Sequence, residues 1–385
     1  MYISDFFAFL HKRLRAVDGF VFDKLTLWQL CALLAVYCAL VHGIWSVPNG
    51  VPYHISKNPF VNIYGQNPAD QFNYDSLVIP LVAYASGLNR SLLTFTCLNC
   101  AVIVAAIIML LQGVRRIWEV DFAKIAVLTL ALNPLSAILL TWIGSYDSVT
   151  FILQSVLFLT ENWGAALVLG MLGGFNHFPI LFISGTYFIV FRGALLRHNK
   201  RKGTLLLYWV GLSIGYAALK LYHYHYHLNV TQDRLSAAGH FGLRPLIRLI
   251  VTNWLAATFS LYNVLWIAVL CILFFLYRQN ASAFWCFILG NCTFVLLAFL
   301  ALDTTRVFAL LSWPMLLYGL LAVFSDSRRQ GPECYGQTRL FLCAILMAGL
   351  FIPRLWVWDG QIYFSRHIDM VRKLLGSIQI APKWL

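Results

Sequence analysis

The chain has 385 residues, of which 60% are hydrophobic and only 11% are charged, and its formal net charge is +13. Soluble domains carry about 25% charged residues, so this composition excludes an ordinary soluble protein and indicates one that spans a bilayer. The basic excess falls in short loops between apolar runs, where the positive-inside rule expects it. This distribution of basic residues predicts that the protein contacts anionic membrane lipids and not nucleic acid.

The first 24 residues, "MYISDFFAFLHKRLRAVDGFVFDK", place their charges among Phe and Leu at helical spacing, with no small-residue cleavage site after them. This pattern predicts an amphipathic helix on the cytoplasmic membrane surface. Residues 25–352 are predicted to form one transmembrane domain, and residues 353–385 an extracytoplasmic tail. The expected fold class is an all-α polytopic membrane protein.

Ten apolar runs predict membrane crossings. The run at 163–191 contains "GGFNHFP", which breaks a helix, so it predicts a hairpin of two short spans and brings the total to about eleven crossings. Alternation from a cytoplasmic N-terminus places the basic loops together on one side. The runs are Leu27–Ser46, Ser91–Val114, Ile125–Ile143, Ser148–Leu159, Trp163–Phe191, Thr204–Tyr222, Phe259–Tyr277, Ala283–Leu302, Val307–Phe324 and Leu340–Ile352.

The loop at 47–77 is too long for a tight connection and falls on the extracytoplasmic side of this topology. It is rich in Asn, Pro, Tyr and Phe, and loops of this length are often functional. Aromatic rings that stack on sugars and amides that bind hydroxyls are typical of a carbohydrate site. His54, Asp70 and Asp75 are its candidate site residues, although either acid could also be simple solvated surface.

Asp147 lies in "TWIGSYDSVT", between two apolar runs and next to Tyr146. One interpretation makes Asp147 the N-cap of the following span. The other places its carboxylate in an outer cleft, where it binds a substrate hydroxyl or a divalent cation such as Mg²⁺ or Mn²⁺. We favour the cleft.

Two further segments carry polar residues at span ends. In "LDTTRVFALLSWP", Asp303 and Arg306 begin a span. The planar guanidinium of Arg306 suits a phosphate, and a local pair with Asp303 that caps the helix is the alternative. His177, in the break "FNHFP", is expected to line a polar cavity rather than face lipid. No acid falls in mid-membrane, which weakens an ion-coupled transporter.

Three segments resemble the GT-C superfamily of polytopic glycosyltransferases. "ALNPLSAILLTWIGSYDSVTFILQSVLFL", residues 131–159, is similar to the family's third and fourth helices. "LGMLGGFNHFPILFI", residues 169–183, is similar to the next helix pair, with Asn176 and His177 where many members carry a basic residue. "QNPADQFNYDSLVIPLVAY", residues 66–84, resembles the end of the first outer loop. The likeness covers about the N-terminal half of the chain.

This resemblance implies an inverting transfer of a sugar from a polyprenyl-phosphate carrier to a glycan or glycolipid acceptor, on the extracytoplasmic face of the bacterial inner membrane. It makes residues 25–352 the catalytic domain. A carboxylate of the first outer loop acts as general base in the family. Because no acid occurs between Asp23 and Asp70, Asp70 or Asp75 takes that role here, with a slight preference for Asp75.

The other candidate residues receive roles from the same resemblance. Arg306, with His177, stabilises the departing phosphate, while Asp147 positions the acceptor or a divalent cation. Tyr146, Asp303 and His54 complete the expected substrate-binding set.

Two other functions stay open. A glycan polymerase or ligase relies on a large late outer loop with several arginines, and the stretch 223–255 contains Arg234, Arg244 and Arg248. A lipid or sugar transporter would share the membrane format, but the chain shows no repeat symmetry.

Overall fold

The computed structural model describes residues 2–44, 50–64, 71–196, 201–228, 230, 243–301, 303–358 and 361–365, without the side chains of 2–7, 201 and 243–252. Within these residues, seven helices are long and apolar enough to cross a membrane, or eight if one bent pair counts as a single span. The protein is therefore an integral, multi-pass, predominantly α-helical membrane protein, as its composition predicted. A short β-hairpin near the C-terminus was not predicted.

The elements are numbered in chain order. The helices are α1 (Tyr2–Asp18), α2 (Leu27–His42), α3 (Val51–Lys57), α4 (Val78–Ala85), α5 (Leu92–Trp118), α6 (Val120–Leu132), α7 (Pro134–Thr141), α8 (Asp147–Leu159), α9 (Trp163–Asn176), α10 (Phe178–Leu196), α11 (Arg201–His225), α12 (Leu243–Tyr262), α13 (Trp266–Gln279), α14 (Ala281–Phe299), α15 (Thr304–Gln330) and α16 (Pro332–Phe351). A π-helix at Gly19–Lys24 follows α1, and 3₁₀ turns lie at Phe72–Asp75 and Asn263–Leu265; the strands are β1 (Leu355–Trp358) and β2 (Gln361–Phe364).

A bend of 70° separates α6 from α7. It falls at Asn133, which adopts an extended conformation because the following residue, Pro134, disfavours the helical one. The Asn133 side chain accepts a hydrogen bond from the Leu135 backbone N–H at 2.9 Å and so caps α7. The predicted crossing at 125–143 is thus two helices, and α7 leads directly into the Asp147 turn.

The helices α9 and α10 form the hairpin predicted from "GGFNHFP", with His177 at the break. Thr150 of α8 hydrogen-bonds His177 at 3.2 Å, and the carbonyl of Leu157, two turns further along α8, accepts from Arg192 of α10 at 3.1 Å. Since the two contacts follow each other in the same direction along both helices, α8 and α10 run parallel. The intervening α9 runs antiparallel to both.

Four glycines allow α9 and α11 to pack backbone against backbone. They are Gly170 and Gly174 of α9 and Gly211 and Gly215 of α11, a small-residue spacing of four on each helix. A Cβ atom on Gly211 would collide with the carbonyl oxygen of Leu167. Such close approach lets dispersion and weak C–H···O contacts drive association where lipid removes the hydrophobic effect between helices.

Charged residues gather at one end of the helix bundle, which we call the Arg339 end. Arg339 of α16 binds Asp18 at 2.9 Å and Asp23 at 3.0 Å, so it fastens α1 and the π-helix to the bundle. Asp121 at the start of α6 lies 3.8 Å from the same guanidinium. Because α6 and α7 lead away from this point to Asp147, the opposite end is called the Asp147 end.

The β-hairpin packs on the Asp147 end. Its strands are antiparallel, with Leu355 opposite Phe364. The Leu355 backbone N–H donates to the Asn263 side chain at 2.8 Å, and the Val357 N–H donates to the Thr305 hydroxyl at 2.8 Å. The described part of the predicted tail, up to residue 365, therefore belongs to the folded bundle.

The glycine packing gives the first prediction. We expect Gly211→Ala to destabilise the protein by about 1–3 kcal/mol, since the added methyl group forces α9 and α11 apart. Thermal unfolding in detergent measures the change. Gly336→Ala on α16 is the matched control, because nothing lies within 4 Å of the added carbon there. Equal stabilities of the two variants would contradict the close packing.

Candidate functional site

Asp147 occupies the first position of α8, after a turn at residues 142–146. Gly144 in this turn has φ 101°, a left-handed conformation that glycine adopts without strain. The Asp147 side chain does not cap the helix. Its carboxylate instead accepts a hydrogen bond from the Ser145 hydroxyl at 2.7 Å. The N-cap interpretation of the sequence is therefore wrong for this side chain.

Asp147 pairs with Arg306 inside the bundle. The guanidinium Nε and Nη2 atoms donate to the two carboxylate oxygens at 2.8 and 3.1 Å, while Nη1 donates to Asp303 at 2.8 Å. The side chains of Asp147 and Arg306 are only 2% and 12% exposed. Charge-assisted, two-pronged bonds of this kind are among the strongest in proteins. The expected local Asp303–Arg306 pair is present, but it is half of a larger cluster.

The position of Arg306 follows from its helix. Asp303 precedes the first residue of α15, so Arg306 lies one turn away and faces it. The helix α15 is the most buried of the candidate spans, with 83% of its apolar window inside the protein. Aromatic rings cover the guanidinium, since Trp142 and Tyr146 lie 4.8 and 5.5 Å from its central carbon. This enclosure fixes the arginine in one orientation.

His177 continues the polar region behind this cluster. Its ring meets Tyr146 edge-on at 5.2 Å and hydrogen-bonds Thr150 at 3.2 Å. The side-chain amide of Asn176 donates to the same Thr150 hydroxyl at 3.3 Å. The Ser76 hydroxyl donates to the backbone carbonyl of Asn176. His177 thus connects the Asp147 turn to the first long loop, as part of a buried hydrogen-bonded network.

Asp75 directly precedes Ser76, the residue of the first long loop that joins this network. Its carboxylate is 3.4 Å from Lys220 of α11. The neighbouring Tyr74 is fully buried, and burial raises the pKa of its phenol to about 12. The phenol therefore stays protonated and donates to the Val61 carbonyl at 2.8 Å. The ion pair with Lys220 attaches the loop to the end of α11, so Asp75 has a positively charged partner outside the Arg306 cluster.

The remaining loop candidates do not join the cluster. His54 is exposed on α3, where its ring lies 5.4 Å from that of Tyr53. Asp70 lies outside the described residues. The structure thus brings together Asp147, Arg306, Asp303 and Tyr146 with His177 beside them, and it places Asp75 and His54 elsewhere.

A cavity of about 640 Å³, including its open mouth, lies next to Arg306. We call it the Arg306 cavity. Aliphatic residues of α7 and the β1 strand form much of its wall, and its cationic, acidic and aromatic groups come from Arg306, Arg354, His42, Asp303, Trp142 and Trp356.

The sequence did not identify Arg354 as a candidate. This side chain is 2% exposed, and its Nη1 atom donates to the Ala131 carbonyl at 2.7 Å and to His42 at 2.9 Å. The available signal was a lone arginine after Pro353, followed by "LWVW", a short apolar run that is compatible with a buried strand. Its partners lie more than two hundred residues away in the chain, which no local pattern reveals.

A divalent cation at Asp147 does not fit the described side chains. Both Asp147 oxygens accept from Arg306, and a cation would be repelled by that guanidinium. Throughout the described ranges, no group of three His, Cys, Asp or Glu residues could hold a metal ion.

Comparison with protein-family models, with curated proteins and with solved structures found no match to the chain.

The buried ion pair gives the second prediction. Asp147→Asn keeps the side-chain volume but leaves the Arg306 charge without its main partner, so we expect a loss of about 3–5 kcal/mol in the free energy of unfolding. Chemical unfolding in detergent measures this loss. Glu119→Gln is the matched control: its pair with Arg328 is 2.7 Å long but exposed, and such pairs contribute about 0–1 kcal/mol. A small loss in both variants would contradict a desolvated pair.

Proposed function

We propose that the protein is an inverting membrane glycosyltransferase, which moves a sugar from a polyprenyl-phosphate carrier to a glycan or glycolipid acceptor on the extracytoplasmic face of the bacterial inner membrane. The observation that carries this proposal is the Arg306 cavity, in which two aspartates hold a buried guanidinium at the wall of a pocket. Such a pocket can receive a phosphate and a hydroxyl together.

The proposal includes a topology of eleven crossings. Besides the seven long helices and the bent α6–α7 pair, the shorter apolar helices α2, α8 and α9 coincide with predicted spans, and all three begin or end at the Asp147 end. Arg328, in the last turn of α15, and the basic helix α1 lie at the Arg339 end. By the positive-inside rule, that end is cytoplasmic. The Arg306 cavity then opens to the extracytoplasmic side.

Arg306 suits the stabilisation of a departing phosphate. A guanidinium has five N–H donors, of which three are bound to Asp147 and Asp303. The two remaining N–H groups belong to a side chain at the cavity wall. Because the carboxylates fix its orientation, these donors need no reorganisation as negative charge develops on the leaving oxygen.

The transfer also needs a base. The carboxylate of this base takes the proton from the acceptor hydroxyl. The hydroxyl oxygen then attacks the anomeric carbon of the sugar, on the side opposite the phosphate. The bond from that carbon to the phosphate oxygen breaks, and polyprenyl phosphate leaves with both electrons. The sequence favoured Asp75 as base, but Asp75 does not line the Arg306 cavity. Asp303 is the single acid among the described residues that line the cavity, and the geometry favours it.

The third prediction tests both the reaction and its base. Purified protein in bilayer nanodiscs, given a lipid-linked sugar and an acceptor, is expected to release polyprenyl phosphate, which chromatography detects. Asp303→Asn is expected to slow this release by about 10²–10⁴-fold, the contribution of a general base. The matched control is Asp326→Asn, at an exposed carboxylate near the Arg339 end that binds Gln330, and it should retain the activity.

Three results would contradict parts of this proposal. Movement of the lipid-linked sugar across the bilayer without release of polyprenyl phosphate would indicate a transporter. Loss of activity in Asp75→Asn together with normal activity in Asp303→Asn would return the base to the first loop. Normal activity in Arg306→Gln would exclude this arginine from the stabilisation of the leaving group.

A further inference from the structure

Arg354 is a buried cation that the proposed reaction does not use. Its Nη1 atom donates to the Ala131 carbonyl, to His42 and, at 3.3 Å, to the Ser136 hydroxyl. Among the residues that the structure describes, its Nε and Nη2 atoms have no hydrogen-bond partner. A role as a structural link between α2, α6 and the β-hairpin accounts for Nη1 alone.

The same two atoms bind carboxylates in other arginines of this protein. Arg306 uses Nε and Nη2 for Asp147, at 2.8 and 3.1 Å. Arg339 uses Nε and Nη2 for Asp18, at 2.9 and 3.1 Å. In each case the two parallel donors hold both oxygens of an anion. Arg354 therefore presents the donor pair of these ion pairs without a carboxylate from the described residues.

An unsatisfied buried charge is costly. Removal of a guanidinium from water without hydrogen-bond partners disfavours the folded state. The Ala131 carbonyl at the end of α6 binds only one nitrogen, and the Tyr37 ring, 5.5 Å from the central carbon, supplies a cation–π contact but no acceptor atom. A ligand that brings two acceptor oxygens and a negative charge would remove the penalty. The folded protein itself thus favours the binding of an anion.

The surroundings of Arg354 suit such a ligand. The residue lines the Arg306 cavity, together with the Thr305 hydroxyl. Its backbone is fixed by two hydrogen bonds to Ser365, at 2.8 and 3.0 Å. Its Nε and Nη2 atoms are buried, so a ligand in the cavity reaches them once side chains of the cavity wall, such as that of Trp356, move aside.

We propose that Arg354 binds a phosphate-type oxyanion through Nε and Nη2, and that the β-hairpin thereby forms an anion-binding wall of the Arg306 cavity. The oxyanion belongs to a lipid headgroup or to a water-soluble phosphate compound. This binding requires no bond to be made or broken. It stands whether or not the protein transfers a sugar.

Thermal unfolding of the full chain provides the test. In the first arm, sodium pyrophosphate is compared with sodium chloride at equal ionic strength, in neutral detergent. In the second arm, nanodiscs of phosphatidylcholine with phosphatidic acid are compared with phosphatidylcholine alone. We expect the phosphate probe of at least one arm to raise the Tm by about 2 °C or more near saturation. The arm that responds identifies the source of the oxyanion.

Two variants decide whether Arg354 is responsible. Arg354→Gln is expected to abolish the shift. Arg192→Gln is the matched control, because Arg192 is also a buried arginine held by backbone carbonyls, those of Leu157 and Phe158, at the Arg339 end of α10. Its removal should lower the Tm but keep the phosphate-dependent shift. A normal shift in Arg354→Gln, or no shift of the unsubstituted protein in either arm, would overturn the proposal.

A measurement on the unsubstituted protein covers the case in which Arg354→Gln does not fold. Hydrogen–deuterium exchange of residues 353–365 is expected to slow when the active probe is added, since the anion fixes Arg354 and the strand that follows. Unchanged exchange in this segment would also overturn the proposal. These binding tests contain no sugar donor and are independent of the transfer assay. Phosphate binding here, together with no release of polyprenyl phosphate in that assay, would contradict only the proposed transferase.

Discussion

The structure depends on a charge that has to be neutralised inside a membrane protein. Arg306 lies in the most buried helix, α15, and folding can remove its guanidinium from water only if Asp147 and Asp303 arrive beside it. This requirement fixes the turn between α7 and α8 against the start of α15. The aromatic rings of Trp142 and Tyr146 can then enclose the arginine, and the remaining space becomes the Arg306 cavity.

The overall helical organisation could be predicted from sequence because its causes are local. Apolar runs have to match the bilayer thickness, and residues such as Pro134 and the "GGFNHFP" segment interrupt helices wherever they occur. Asp147 and Arg306 were also identifiable, since charged residues are scarce next to apolar spans. Their direct pairing was not, because 159 residues separate them and sequence spacing carries no information about which span ends meet.

The first long loop and the C-terminal segment show the same limit. Composition marked the loop as a candidate site, but the partner of Asp75 is Lys220, which belongs to α11. Conversely, the apolar run after Pro353 is compatible with a strand, but only its hydrogen bonds to Asn263 and Thr305 show that this segment packs on the bundle. Contacts between distant segments decide both outcomes, so a prediction from local patterns could name residues but not their partners.

The bend at Asn133 has a chemical effect beyond the direction of the chain. In an uninterrupted helix, the Leu135 N–H would donate to the Ala131 carbonyl, four residues earlier. Here it donates to the Asn133 side chain, and the released carbonyl accepts from Arg354 and from the Cys38 thiol. The Asn-Pro dipeptide thus creates an acceptor as well as a corner. One forgone helical hydrogen bond gives the C-terminal segment one of its attachments to the bundle.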